Sequence, residues 1–234
     1  MRSIRRRLPP AMSLPAWGGG VAFSPDQISG LVLWCEADNI TGVSDTAQFT
    51  PWPDISGSSH DLAQVANADY RPTYHLNVQN GLPIVRFDGI SQFMRVNYTQ
   101  SQPLTVFVAA DLTDIADTIS VHDGYATGNT LRLYRSGANL SMYAGTGIAL
   151  GAMPSGWHVI TTGWSGTSSY GQIDNGAAQT GNAGTGTPSG LSIATYGALG
   201  AYANMDCGAV LIYNGLLSAG DVALVAAYLV DKWV

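Results

Sequence analysis

The sequence predicts an all-β fold, an antiparallel β-sandwich with an extended N-terminal arm and one C-terminal helix. Three observations support this. Short runs with the alternation of a strand recur about every ten residues. Aspartate, glycine and proline turns separate the runs. A single stretch with helical spacing ends the chain. Since 234 residues suit one large β domain, we expect an arm over residues 1–25 and a β-sandwich domain over residues 26–234.

The arm is basic and interrupted by proline and glycine. It holds four of the ten basic residues, which leaves six basic and 16 acidic residues in the body, a formal charge of −10. A basic arm on an acidic body predicts docking on an acidic surface, and the body's own field disfavours nucleic acid. The prolines after residue 8 break the apolar run of a secretory signal, and no run of 18 apolar residues predicts a membrane span. We therefore expect synthesis in the cytoplasm without export.

Strand candidates follow the arm at regular spacing. The first covers residues 31–38, where alternate positions are apolar. The others cover residues 83–88, 92–97, 104–111, 130–135, 140–143, 156–164, 170–173, 191–196 and 206–213. Asp88-Gly89 and Asn175-Gly176 are dipeptides typical of tight hairpin turns. The glycine-rich stretch 181–190 is predicted to be a loop.

One helix is predicted at the C-terminus. Ser218 and Asp221 have the spacing of a capping box. An apolar stripe at helical spacing follows, made of Val222, Val225, Leu229 and Trp233 and joined by Leu224 and Tyr228. We expect the stripe to pack on the edge of the sandwich.

The sequence predicts no cofactor. Cys35 and Cys207 lie in the first and last strand candidates, where either a disulfide or two buried free thiols would fit, and the missing export signal favours free thiols. Asp111, Asp114 and Asp117 either contribute oxygens to a calcium site or form an exposed acidic loop. The four histidines lack the spacing of metal ligands.

Several motifs in order resemble the concanavalin A-like, laminin-G-like jelly-roll domains found in phage structural proteins and in secreted bacterial proteins. They are LVLWCEAD at 31–38, WPDISG at 52–57, RP at 71–72, NGLPIVRFDG at 80–89, TVFVA at 105–109, WHVIT at 157–161, IDNG at 173–176 and GAVLIYNGLLS at 208–218. The resemblance covers residues 28–234 and implies a binding or structural module. The hydrolase branch carries Glu-x-Asp-x-x-Glu on one strand, whereas this chain has a single glutamate, Glu36. We therefore expect no enzymatic activity.

Glycan binding is the chemistry that the side chains best allow. Lectin-like sites place an aromatic face against the sugar and use aspartate or asparagine to hold its hydroxyls. Two sets of residues could supply this combination. They are Tyr125 with Asp123 and Asn129, and Trp164 with Tyr170 and Asp174. The alternative is that these aromatic side chains fill the core or pair across hairpins.

The predicted function is that of a non-enzymatic bacteriophage virion surface protein, a capsid decoration or a head or tail fibre. The jelly-roll domain would be displayed outward and could bind a cell-surface polysaccharide. The arm would anchor it to capsid or tail subunits through Arg2, Arg5, Arg6, Arg7 and Trp17. Such proteins are usually symmetric, so we expect a homo-oligomer. The alternative is a free or secreted carbohydrate-binding, lectin-like module; a glycan hydrolase comes third.

Overall fold

A computed structural model of the chain describes residues 23–64, 66–113, 118–125, 127 and 131–234. These residues contain fourteen β-strands and the helix α1, Ala219–Trp233. The strands are β1 Leu31–Glu36, β2 Thr73–Gln79, β3 Leu82–Asp88, β4 Met94–Val96, β5 Leu104–Leu112, β6 Ile119–Asp123, β7 Arg132–Ser136, β8 Asn139–Tyr143, β9 Gly147–Ala152, β10 Trp157–Trp164, β11 Ser169–Ile173, β12 Gln179–Gly181, β13 Leu191–Ile193 and β14 Asn204–Asn214.

The strands form two antiparallel sheets. The first has the order β12-β11-β10-β5-β14-β3-β2, and β1 also pairs with β14. The second has the order β4-β13-β6-β7-β8-β9. The long strand β14 pairs with β3 through its first half and with β1 through its second half, on either side of a bulge at Gly208. The predicted antiparallel β-sandwich with one C-terminal helix is thereby confirmed.

The core lies between the sheets. Strands β7 and β8 alternate between buried and more exposed residues, and Leu133, Leu140 and Met142 point inward with no exposed surface. Each such side chain contributes roughly 1.5–3 kcal/mol by burial. Strands β5 and β14 are buried on both faces. On the outer face, α1 packs over β5, and Trp233 of α1 contacts Gly208 of β14. Cys35 and Cys207 are buried free thiols, one of the two predicted alternatives, and burial raises the pKa of both.

Helix α1 begins at the predicted cap. The Ser218 Oγ accepts a hydrogen bond from the Asp221 amide at 3.1 Å. Contrary to the prediction of edge packing, the helix lies on the outer face of the first sheet over β5 and β10. Leu224 is not part of the buried stripe, since it is 50% exposed on the opposite side of the helix. With 15 residues, α1 is too short to cross a bilayer, and no other helix among the described residues could do so.

An ionic cluster fixes the end of α1 to the first strand. The Lys232 ammonium lies 2.8 Å from the carboxylates of both Glu36 and Asp38, and the Tyr228 hydroxyl donates to Glu36 at 3.2 Å. Burial lowers the pKa of Lys232, but the hydrogen bonds to the two carboxylates outweigh it and raise this pKa overall. Glu36 is therefore a structural residue of the helix-to-sheet contact.

Candidate functional site

The outer faces of the two sheets differ in what covers them. Helix α1 packs on the first sheet, whereas the outward positions of β7, β8 and β9 are at least partly exposed. An antiparallel sheet with one solvated face presents alternate side chains outward. Four arginine and tyrosine side chains of the second sheet and two tyrosine rings from the adjoining segments lie on this side. We name them the arginine–tyrosine face: Arg95, Arg132, Tyr134 and Tyr143 of the strands, and Tyr125 and Tyr196 of the adjoining segments.

The register of the second sheet places these residues in a row. Arg95 of β4 is opposite Ser192 of β13, which is opposite Asp123 of β6. Arg132 of β7 is opposite Tyr143 of β8. Residues directly opposite each other lie on the same face of a sheet. Because β4 and β7 are three strands apart, ordinary strand spacing separates the two arginines by about 14 Å.

Arg132 is held between two aromatic rings. Its guanidinium carbon lies 5.0 Å from the Tyr134 ring centroid and 5.2 Å from the Tyr196 ring centroid. Its Nε donates a hydrogen bond of 2.6 Å to the Ser120 hydroxyl. The stacked rings and the Ser120 bond fix the plane of the guanidinium. Its two Nη groups meet no acceptor among the residues that the structure describes.

Arg95 repeats this arrangement near the other edge of the sheet. Its guanidinium carbon lies 4.6 Å from the Tyr125 ring centroid. The two residues line a pocket of about 280 Å³ together with Asp61, Gln64 and Asn97. Within the described ranges, neither Arg95 nor Arg132 forms an ion pair with a carboxylate.

The buried side chain of Asp123 holds the backbone segments next to this face in place. It is 1% exposed, and its Oδ1 accepts hydrogen bonds from the amides of Gly124 at 2.7 Å and Leu131 at 2.8 Å. Its Oδ2 accepts one from Gly197 at 3.2 Å. Burial raises the pKa of Asp123, and the three amides and the Arg132 charge oppose that shift. Asp123 thus fixes the backbone on both sides of the face but is too buried to contact a sugar.

The first predicted set of site residues is therefore partly on this face. Tyr125 belongs to it directly, and Asp123 supports it. Asn129 lies outside the described residues. The arm residues Arg2, Arg5, Arg6, Arg7 and Trp17 also lie outside them, so their anchoring role stays a prediction.

The structure does not bring the second predicted set together. Trp164 has no exposed surface, donates to the Thr162 hydroxyl at 2.9 Å and packs edge-on against His122 in the core, so it cannot stack on a sugar. Asp174 sits in a turn, where its carboxylate accepts from the Val159 amide at 2.7 Å and pairs with His158. Tyr170 is on the neighbouring strand β11, where its ring packs against Gly163 beside α1.

Tyr170 lines a separate cavity that we name the helix groove, a space of about 510 Å³ between α1 and strands β11 and β12. None of its lining residues is charged; they include Ser168, Gln172, Asn175, Thr180, Leu217 and Val222. One face of the Tyr170 ring rests against Gly163. The groove thus offers one aromatic ring and a few amides and hydroxyls.

The other candidate catalytic and metal-ligating carboxylates do not form a site among the described residues. Glu36 is 1% exposed and engaged by Lys232. Asp111 is opposite Asp206, and burial raises the pKa of Asp111. Asp114 and Asp117 lie outside the described residues. No group of three histidine, cysteine, aspartate or glutamate side chains in the described part of the chain could hold a metal ion.

The sequence analysis missed Arg95, Arg132, Tyr134, Tyr143 and Tyr196. The alternation in RLYR at 132–135 puts Arg132 and Tyr134 on one face, and this signal could have identified them as neighbours. Nothing local in the sequence links them to Tyr196 or Tyr143, because the sheet creates those contacts.

No protein-family model and no curated protein sequence matches the chain. Solved structures do match. A sialidase of Trypanosoma rangeli in complex with sialic acid is 13% identical with a TM-score of 0.62; the match covers 94% of this chain and 35% of the sialidase. Domain 4 of AbnA, a GH43 extracellular arabinanase from Geobacillus stearothermophilus, was solved with arabinotriose. It is 13% identical with a TM-score of 0.62, and the match covers 84% of this chain and 98% of that domain.

The botulinum neurotoxin serotype D binding domain is 11% identical with a TM-score of 0.58, and the match covers 87% of this chain and 51% of that chain. The present chain spans about a third of the length of the sialidases that it matches. At these identities the likeness concerns the fold alone. The chain is thus an all-β sandwich of the kind that occurs within a sialidase, as an arabinanase domain and within a toxin binding domain.

Proposed function

We propose that the chain is a non-catalytic glycan-binding module whose ligand lies on the arginine–tyrosine face. The observation that carries this proposal is Arg132, which contacts the Tyr134 and Tyr196 rings beside the partly exposed outward positions of β7 and β8, and whose Nη groups meet no acceptor among the described residues. The fold neighbours support it, since one was solved with arabinotriose and another with sialic acid.

The chemistry of the face suits a sugar. Tyrosine rings offer apolar surface to the C–H face of a pyranose, and their hydroxyls remain available for hydrogen bonds. Tyr143 is 39% exposed, and Tyr134 and Tyr196 are partly exposed. The fixed guanidinium groups add a few placed donors to this platform, the usual composition of a ligand site.

The test is a glycan array probed with the full chain, followed by titration of the best ligand with variants. Tyr143→Ala and Tyr134→Ala should each weaken binding by at least about tenfold, the loss expected for an aromatic anchor. Tyr170→Ala in the helix groove is the matched control and should bind like the wild type. If Tyr170→Ala abolishes binding and the other two do not, the site is the helix groove. If no glycan binds, the proposal fails.

The non-catalytic part of the proposal rests on the position of the carboxylates. Retaining glycosidases need two carboxyl groups about 5–5.5 Å apart beside the scissile bond. The single glutamate, Glu36, is instead buried under α1 against Lys232. Incubation of the best array ligand with the protein should release no new reducing ends. Release of reducing ends would contradict this assignment, and release that persists in the Glu36→Gln variant would point to an aspartate pair as the catalytic groups.

We also propose that the module is displayed on a bacteriophage particle, where the arm binds capsid or tail subunits. The support is the charge pattern, with four arginines in the first seven residues and a formal charge of −10 on the rest of the chain. Purified particles should contain the protein in a fixed ratio to the major capsid protein, and deletion of residues 1–24 should release it. Absence from particles would favour the free lectin-like module.

A further inference from the structure

The six basic residues of the body have very different surroundings. Three of them have partners at their terminal nitrogens: Lys232 with Glu36 and Asp38, Arg86 with Asp206, and Arg135 with the Leu112 carbonyl. A fourth, Arg71, donates its Nε to the Gln64 carbonyl on another part of the surface than Arg132. The other two, Arg95 and Arg132, are the arginines of the arginine–tyrosine face. In the part of the chain that the structure describes, their terminal guanidinium nitrogens meet no acceptor.

The lack of a partner is notable because the body is acidic. It has 16 carboxylate side chains and six cations, so carboxylates to pair with are abundant. The nearest one in the row, Asp123, is buried and accepts hydrogen bonds from three backbone amides; the Arg132 charge acts on its carboxylate, but no hydrogen bond joins the two side chains in the described part of the chain. On the Arg95 side, Asp61 lines the same pocket and its Oδ1 accepts the Asp54 amide at 2.8 Å; among the described residues it forms no ion pair with Arg95.

The geometry of Arg132 defines what can bind there. The Tyr134 and Tyr196 rings contact the guanidinium of Arg132, and the Ser120 hydroxyl binds its Nε. The edge of the guanidinium that remains for a ligand is the one formed by the two Nη groups. Such a planar, pre-oriented fork matches a carboxylate in a bidentate manner and is poorly matched by a single hydroxyl. Between the arginines, Ser192 has no exposed surface and its Oγ has no hydrogen-bond partner among the described residues.

We propose that the ligand is an acidic oligosaccharide whose sugar carboxylates pair with Arg132 and Arg95. This inference rests on the proposed function and narrows its ligand class. The backbone positions of the two arginines are about 14 Å apart by strand spacing, which suits two acid groups on different sugar units. The ligand therefore carries acid groups on more than one sugar unit, and a monosaccharide engages only one arginine.

The experiment compares acidic ligands with their neutral counterparts by calorimetry. The probes are a galacturonic acid trimer and its methyl ester, with sialyllactose and lactose as a second pair. Each acid should bind at least about tenfold more tightly than its neutral partner, and added salt should reduce this preference. A sulfated trisaccharide tests whether the Arg132 guanidinium prefers planar carboxylates. If it does, the sulfated trisaccharide binds more weakly than the galacturonic acid trimer.

Variants assign the preference to the two arginines. Arg132→Gln should remove most of the preference for the acid, and Arg132→Lys should restore only part of it because an ammonium lacks the fork. Arg95→Gln should weaken binding of the galacturonic acid trimer but leave binding of sialyllactose, which has a single carboxylate, unchanged. Arg86→Gln removes the same charge from the first sheet, away from the arginine–tyrosine face, and should bind like the wild type. Thermal unfolding of each variant confirms that it is folded.

The outcomes separate the two proposals. If neutral and acidic ligands bind equally and Arg132→Gln changes nothing, the acidic ligand class is wrong while glycan binding stands. If the neutral ligand binds more tightly, the arginines serve only to hold the tyrosines. If no acidic or neutral glycan binds, both proposals fail.

Discussion

Mild acid should destabilise the fold through one buried residue, His122. The side chain is 1% exposed, packs against Trp164 in the core, and its ring nitrogens have no hydrogen-bond partner among the described residues. Burial lowers the pKa of His122 to about 3 from 6.5, and the nearby Leu131 backbone offsets only part of this. The folded protein therefore keeps the ring neutral, whereas the unfolded chain binds a proton below pH 6.5.

The magnitude follows from the size of this shift. Between pH 6.5 and about 3, each pH unit removes about 1.4 kcal/mol from the free energy of unfolding. At pH 5 the loss from His122 is about 2 kcal/mol, a large part of the 5–15 kcal/mol that is typical of a domain. Asp123 acts in the opposite direction, because a carboxyl group with a raised pKa favours the folded state as the pH falls.

The assay is urea unfolding followed by tryptophan fluorescence at pH 7 and at pH 5, with the wild type and His122→Leu. The difference between the two proteins cancels the contribution of the aspartates and isolates the histidine. The wild type should lose about 2 kcal/mol more than His122→Leu between these pH values. If the two proteins lose the same free energy, the histidine is solvated or protonated in the fold, and the reasoning is refuted.

Three further substitutions test the packing of α1 by the same unfolding assay. Lys232→Met leaves the buried carboxylate of Glu36 without its ammonium partner and should lower the free energy of unfolding by about 3 kcal/mol. Adding Glu36→Gln to the same chain should restore most of this loss. If it restores nothing, the ion pair is not buried. Gly208→Ala puts a methyl group into the Trp233 ring and should cost about 1–3 kcal/mol, so a neutral result would contradict this contact. Ser218→Ala removes the cap and should cost about 1 kcal/mol, whereas Ser218→Asp should be tolerated.

The fold could be predicted where the chain has a clear local pattern. Alternation identified β1, and apolar runs between turns identified β5, β10 and β14; the capping box identified the start of α1. The prediction missed β2 and β6; β6 is short, and three of its five buried residues are polar. It missed β9 because glycine and alanine occupy its outward positions, and β12 because it has only three residues.

The candidate site could be predicted only in part, because pairing between distant strands creates it. Tyr125 was identified from its polar neighbours, but its partner Arg95 is 30 positions earlier in the chain. Trp164 was predicted to contact a sugar, yet a large aromatic residue in a strand has two possible faces, and only the sheet packing shows that it points inward. Composition indicated an acidic body, but not that two arginines on it would remain unpaired.

The measurement that tests the central claim most directly is a two-dimensional NMR titration of the full chain with the best array glycan. Binding on the arginine–tyrosine face predicts that amide shifts concentrate at Arg95, Arg132, Tyr134, Tyr143 and Tyr196. Shifts that concentrate instead around Tyr170 and the first turns of α1 would place the ligand in the helix groove and contradict the account.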